Sequence, residues 1–220
     1  ILDLTRGPVN IDLTVEAGTV YECLLGLVAF CNADGQDTYQ VGKTWFDRAR
    51  RALSDTVLFE AKQLTQGFHK LWGHLLGLAQ GLPSPWDVPA FLAHLEGLPA
   101  LEIKLHLLGY HLGVQRGGVS RDVIRRAAEG DEEAARTFRR NAFPTDTRWQ
   151  AVLEHLLKEE HEVTKRRLLT VLTAWDDKVF RAQETELAPI LRRDAEAKRM
   201  PVGMVPHGQL IELATQGLEY

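Results

Sequence analysis

Apolar residues recur at two different periods along this chain. In residues 9–16 (VNIDLTVE), Val9, Ile11, Leu13 and Val15 alternate with polar neighbours, the period of two expected of a half-buried strand. Beyond it the spacing is helical. Residues 19–31 (TVYECLLGLVAFC) read as a buried helix that the polar, glycine-containing stretch NADGQD closes. Between 54 and 80, Val57, Ala61, Leu64, Phe68, Leu71, Leu75 and Leu78 follow in steps of four and three, and Trp72, Leu76 and Ala79 widen the stripe. This spacing predicts one long amphipathic helix, capped by Ser54 or Asp55 and closed by Gly81, Pro83 and Pro85.

The segment GLPSPWDVP (81–89) reads as a loop between packed halves rather than a flexible tether. Residues 99–113 fit either a strand, through Leu101, Ile103, Leu105 and Leu107, or a helix, through Leu101, Leu105, Leu108 and Leu112. Helix is preferred, because Pro99 suits a first helical position and Gly113 a C-terminal cap. Two short helices are expected at 120–129 and 131–141. The second carries Glu132 and Glu133 at its start and Arg136, Arg139 and Arg140 towards its end, as the helix dipole favours. A further stripe of Trp149, Val152, Leu153, Leu156 and Leu157 predicts a helix from 146 to 158, and Leu168, Leu172, Trp175 and Val179 resume the spacing. The intervening charge run KEEHEVTKRR (158–167) reads as a solvated helix face. Residues 184–199 form a polar helix interrupted near Pro189, and a short helix is expected at 208–216. The fold class predicted is therefore mainly α, a multi-helix bundle-like domain over 17–220 preceded by an N-terminal strand or extended arm at 1–16.

Composition narrows what such a domain can be. With 220 residues, 45% hydrophobic and a net charge of −4, the chain can bury a core without disulfides or metal, and disorder is excluded as its dominant state. The longest apolar stretch, residues 23–31, is about half of the ~20 residues a membrane-spanning helix needs. Neither a membrane partner nor a secretory leader is expected. The two cysteines, Cys23 and Cys31, would stand about 12 Å apart on one helix, beyond disulfide reach. Both read as core thiols of a cytoplasmic protein.

Candidate chemistry is sparse. His69 and His74, and His106 and His111, are five residues apart, which turns each pair away from a common helix face. His155 with Glu159 and Glu102 with His106 have the i, i+4 spacing of a chelating pair but lack a third ligand, so no metal and no cofactor is expected. There is no GxSxG, GxxxxGK[ST] or GxGxxG segment. His74 or His111 would serve as a general base only if the fold placed a nucleophile beside it, and no catalytic residue is assigned. The helix pair at 120–141 is arranged like a helix-turn-helix, but Asp131, Glu132 and Glu133 would meet the phosphates. Residues 114–148 hold eight Arg against six Asp and Glu, too few for a basic footprint. Phe68, Trp72, Trp149, Trp175 and Phe180 lie on predicted buried faces, either filling the core or lining a site for a small apolar ligand between helices.

The strand leading into AGTVYECLLGL, with the C-terminal runs APILRRDAEAKRM and HGQLIELATQGLEY, resembles the region upstream of the winged helix in some ArsR-type bacterial transcriptional regulators. The likeness covers about a third of the chain. No winged-helix sequence and no cysteine-bearing metal-sensing motif accompanies it. The resemblance implies a ligand-sensing or dimerising module of a homodimeric regulator that meets DNA only through a domain outside this chain. An enzyme with a site dispersed between helices and a helical protein-interaction scaffold are the alternatives. Dimerisation has independent support, since the strand at 9–16 has no evident partner and pairing would cover its edge.

Overall fold

A computed structural model describes residues 17–82, 86–112 and 118–199. The expected strand at 9–16 and helix at 208–216 lie outside the described residues. Within them are eleven α-helices and no strand: α1 (Thr19–Cys31), α2 (Gly42–Ala52), α3 (Asp55–Thr65), α4 (Leu76–Gln80), α5 (Val88–Gly97), α6 (Ala100–Leu107), α7 (Arg121–Ala128), α8 (Glu132–Asn141), α9 (Thr147–Lys158), α10 (His161–Trp175) and α11 (Arg181–Arg199). Two 3₁₀ segments, Ala33–Thr38 and His69–Leu75, and one π turn, Asp176–Phe180, complete the path. Among the described residues no helix is long and apolar enough to cross a membrane.

Side-chain caps set many of the starts. Ser54, Asp87, Ser120, Asp131 and Asp146 each accept a hydrogen bond from the backbone N–H three residues on, relieving one of the unpaired donors of the first turn. Pro99 stands at the N-cap of α6 rather than inside it. Helices α2 and α5, which the sequence pattern left unassigned, bury Phe46 with Ala49, and Val88, Phe91 with Leu95, respectively.

The long helix expected over 54–80 is a correction. α3 stops at Thr65 because Gln66 and Gly67 take positive φ angles of 47° and 81°, and the chain continues as the 3₁₀ segment before α4. Gly67 adopts this conformation without a Cβ penalty, and two left-handed residues in succession end the ladder. The stripe itself is buried: Leu64, Leu71 and Leu75 are fully enclosed, and Phe68 and Leu78 nearly so. In the 3₁₀ segment Leu71 stands over His74 and Trp72 over Leu75, and all four are buried.

The break expected near Pro189 is a second correction, because α11 runs through it. Proline removes the hydrogen bond to the Thr185 carbonyl, but both residues are exposed, so the loss falls where solvent has access. One hydrophobic cluster holds the molecule together, and residues on both sides of the 81–89 loop enter it. Helix α10 packs on α3, α6 and α5, while α1 packs on the 3₁₀ segment His69–Leu75 and on α11.

Candidate functional site

The five aromatic residues singled out in the sequence are all buried, and their ring contacts fall in separate groups. Phe68 and Trp149 meet with ring centroids 5.4 Å apart, with His74 beside both. Trp175 belongs elsewhere: its ring neighbours are Phe30 and Trp45, and its Nε1 donates to the Cys23 carbonyl at 3.1 Å. Trp72 is fully enclosed, and Phe180 lies in the π turn. None of the five residues lines the clefts that open beside Arg139, Glu184, His155 or Gly130.

The histidines considered as bases are separated in the same way. His74 is buried, with Nδ1 2.7 Å from the Leu107 carbonyl, and burial holds its imidazole below the usual histidine range. The neutral ring therefore donates through Nδ1, leaving Nε2 in the aromatic cluster without a partner among the described residues. His111 is exposed and stacks on His106 with centroids 4.0 Å apart. Glu102 pairs with Arg125 at 3.3 Å rather than acting with His106 as a chelate. Cys23 and Cys31 are free thiols. Burial pushes the Cys23 thiol up and that of Cys31 to about 11, which disfavours the thiolate at both.

The pair that geometry does bring together is His155 and Glu159, with Nε2 and Oε1 3.5 Å apart. They belong to a polar junction where α9 ends and α10 begins. Glu159 is the C-terminal cap residue of α9, and its side chain is only 9% exposed. One carboxylate oxygen accepts from the Thr164 hydroxyl at 2.8 Å. The other lies 2.9 Å from Arg167 Nε, close enough for charge pairing although off the line of the N–H bond. Arg167 spans to α3, where its second contact is Glu60 at 2.5 Å. From α6, the buried Lys104 ammonium donates to the Glu159 carbonyl at 2.5 Å, meeting an oxygen left unpaired by the helix end. Burial lowers the Lys104 amine to about 8.

This junction corrects the reading of 158–167 as a solvated face. Within that run Thr164 is fully buried, and Glu159 and Arg167 are largely so. Two histidine nitrogens in the junction, His155 Nε2 and His161 Nδ1, are buried and without a hydrogen-bond partner. Burial is the main cause that holds both rings below the usual histidine range, and for each the Lys104 charge adds to it. A cleft of about 510 Å³, lined by Gln66, Ala151, Glu154, His155, Lys158 and Glu159, opens alongside. Of the junction groups, His155 and Glu159 reach this cleft, where Lys158, Glu154 and Gln66 add polar side chains that can hold a polar molecule. Among the described residues no group of three or more His, Cys, Asp or Glu is placed to hold a metal ion. The i, i+4 spacing of His155 and Glu159 was the visible signal; Lys104, Thr164 and Arg167 carried none, because their convergence is tertiary.

No protein-family model, curated protein or solved structure matches this chain.

Proposed function

We propose that these 220 residues form the ligand-sensing or dimerising module of a cytoplasmic, homodimeric bacterial transcriptional regulator resembling the ArsR type, whose DNA-reading winged helix is not in this chain. The observation supporting it most is the helical rod over residues 161–199. α10, the π turn and α11 follow one another without a loop, about 58 Å of helix at 1.5 Å per residue. The rod begins in the polar junction at His161 and ends in the run APILRRDAEAKRM that carries the family likeness. Occupancy at one end thus has a continuous helical path through which to act on whatever follows the other. The π turn supplies an irregular joint within it, where Asp176 is buried and one of its oxygens pairs with Arg181 at 2.5 Å. Most of α11 is exposed, and Ala195 is its one buried residue among those described.

DNA enters only through a second domain. The isolated chain is net acidic, and sequence-independent affinity for DNA comes chiefly from neutralised phosphates. In a mobility-shift assay at physiological salt, the chain should leave promoter DNA unshifted while the product of the whole reading frame retards it. A sequence-selective shift by the isolated chain would overturn the proposal. The dimer is tested by light scattering: the intact chain should give twice 24.7 kDa, and deletion of residues 1–16 should give a monomer. A monomeric intact chain would remove dimerisation from the role.

A further inference from the structure

α7 and α8 form a helical hairpin closed at Gly130, whose φ of +99° allows the reversal. The arginines of this hairpin and of α9 are nearly all engaged. Arg121 and Arg125 lie over the Tyr110 ring, and Arg125 also pairs with Glu102. Arg126 pairs with Asp131, Arg136 with Glu133 at 2.7 Å, and Arg148 with Asp34 at 3.1 Å. Arg139 and Arg140 are the exceptions. Among the described residues neither guanidinium has an ion pair or a side-chain hydrogen bond; each feels a carboxylate only at a distance, Glu154 and Glu133 respectively.

Both line the cleft between α8 and α9, a space of about 700 Å³ that Arg136, Thr147, Gln150 and Glu154 also border. The cleft holds one carboxylate, that of Glu154, which Lys158 takes at 2.6 Å and Arg139 feels at a distance. The Gln150 amide donates to the carbonyls of Arg139 and Ala142 at 3.0 and 2.8 Å, pinning the end of α8 onto α9. Two guanidiniums, each with five donors in a planar fork, thus line an open space, and among the described residues neither is ion-paired with a carboxylate.

We propose that the α8–α9 cleft is a binding site for a small multiply charged anion, a phosphorylated or polycarboxylate metabolite, held by Arg139 and Arg140. The inference goes beyond the regulator reading and stands without it. Binding is measured on this chain alone, and its failure would leave the question of a downstream winged helix untouched.

The test is isothermal titration of the 220-residue chain with sodium pyrophosphate and with sodium citrate at fixed ionic strength, which separates phosphate from carboxylate ligands. At least one should bind saturably, and Arg139→Gln with Arg140→Gln together should weaken that binding at least about tenfold. Glutamine matches arginine closely in helix propensity, so the double variant should retain the parent circular dichroism. Arg148→Gln, outside the cleft lining, should bind as the parent does. Absence of saturable heat with both probes, or affinity unchanged in the double variant, would overturn the proposal. A random-sequence DNA duplex that binds through the two arginines while both small anions fail would overturn it in favour of a nucleic-acid backbone contact.

Discussion

Two charge-rich stretches of similar composition meet opposite fates in this molecule. Residues 131–141 of the α7–α8 hairpin keep their charges at the surface, where the side chains of Glu132, Glu133 and Arg136 are 89%, 71% and 58% exposed. Residues 158–167, at the α9–α10 junction, bury Thr164 and enclose most of Glu159 and Arg167. In the hairpin, water screens each pair and the pairs contribute little, so arginines are free to meet a solute. At the junction, Glu159 and Arg167 have been largely taken out of water and depend on their partners, while Lys158, Glu160, Glu162 and Arg166 stay exposed. The same residue types therefore serve adaptable recognition in one place and a fixed arrangement in the other.

The largest effect should come from Glu159→Ala. It leaves Arg167 with Glu60 alone, removes the shorter of the two hydrogen bonds of the Thr164 hydroxyl and takes the negative charge away from Lys104, at a cost of about 3 kcal/mol in urea unfolding. A loss no larger than that of a surface variant would show the junction to be as loosely held as the hairpin.

Lys104 sharpens the contrast through pH. Its amine titrates at about 8 in the folded chain against 10.5 ordinarily, so between those values the unfolded state binds the extra proton. Stability should then rise with pH across that window in the parent relative to Lys104→Met, with no difference in slope below pH 8. Parallel pH profiles for the two proteins would contradict the buried ammonium. Ser120→Ala, which removes the cap of α7, should cost about 1 kcal/mol in the same unfolding experiment. Smallest of all, Arg126→Ala should leave the thermal midpoint unchanged, although the residue pairs with both Asp122 and Asp131. A clear drop would give the hairpin pairs the standing assigned to the junction.

The sequence made the helical class legible because apolar spacing in α1, α9 and much of α10 follows the faces that the fold buries. The caps at Ser54, Ser120 and Asp131 act locally, so they too could be read. What escaped was set by tertiary context. KEEHEVTKRR carries the charge density of a solvated face, and nothing in it announces that Lys104, from another helix, will end at the Glu159 carbonyl. The 54–80 stripe marked the core but not the break, since Phe68, Leu71 and Leu75 can be buried from a 3₁₀ turn as well as from an α-helix. Pro189 misled in the other direction, because its missing hydrogen bond falls on the solvent side. The aromatic residues were correctly placed inside, yet periodicity along separate helices cannot tell whether Trp149 and Trp175 share a site.

The proposed regulatory role meets its most direct test in the gene itself. Reading the native frame downstream of codon 220 should reveal a winged-helix sequence within the same polypeptide, following the helical rod of residues 161–199 and the run HGQLIELATQGLEY. A stop codon immediately after Tyr220, with no DNA-binding domain in frame, would contradict that role.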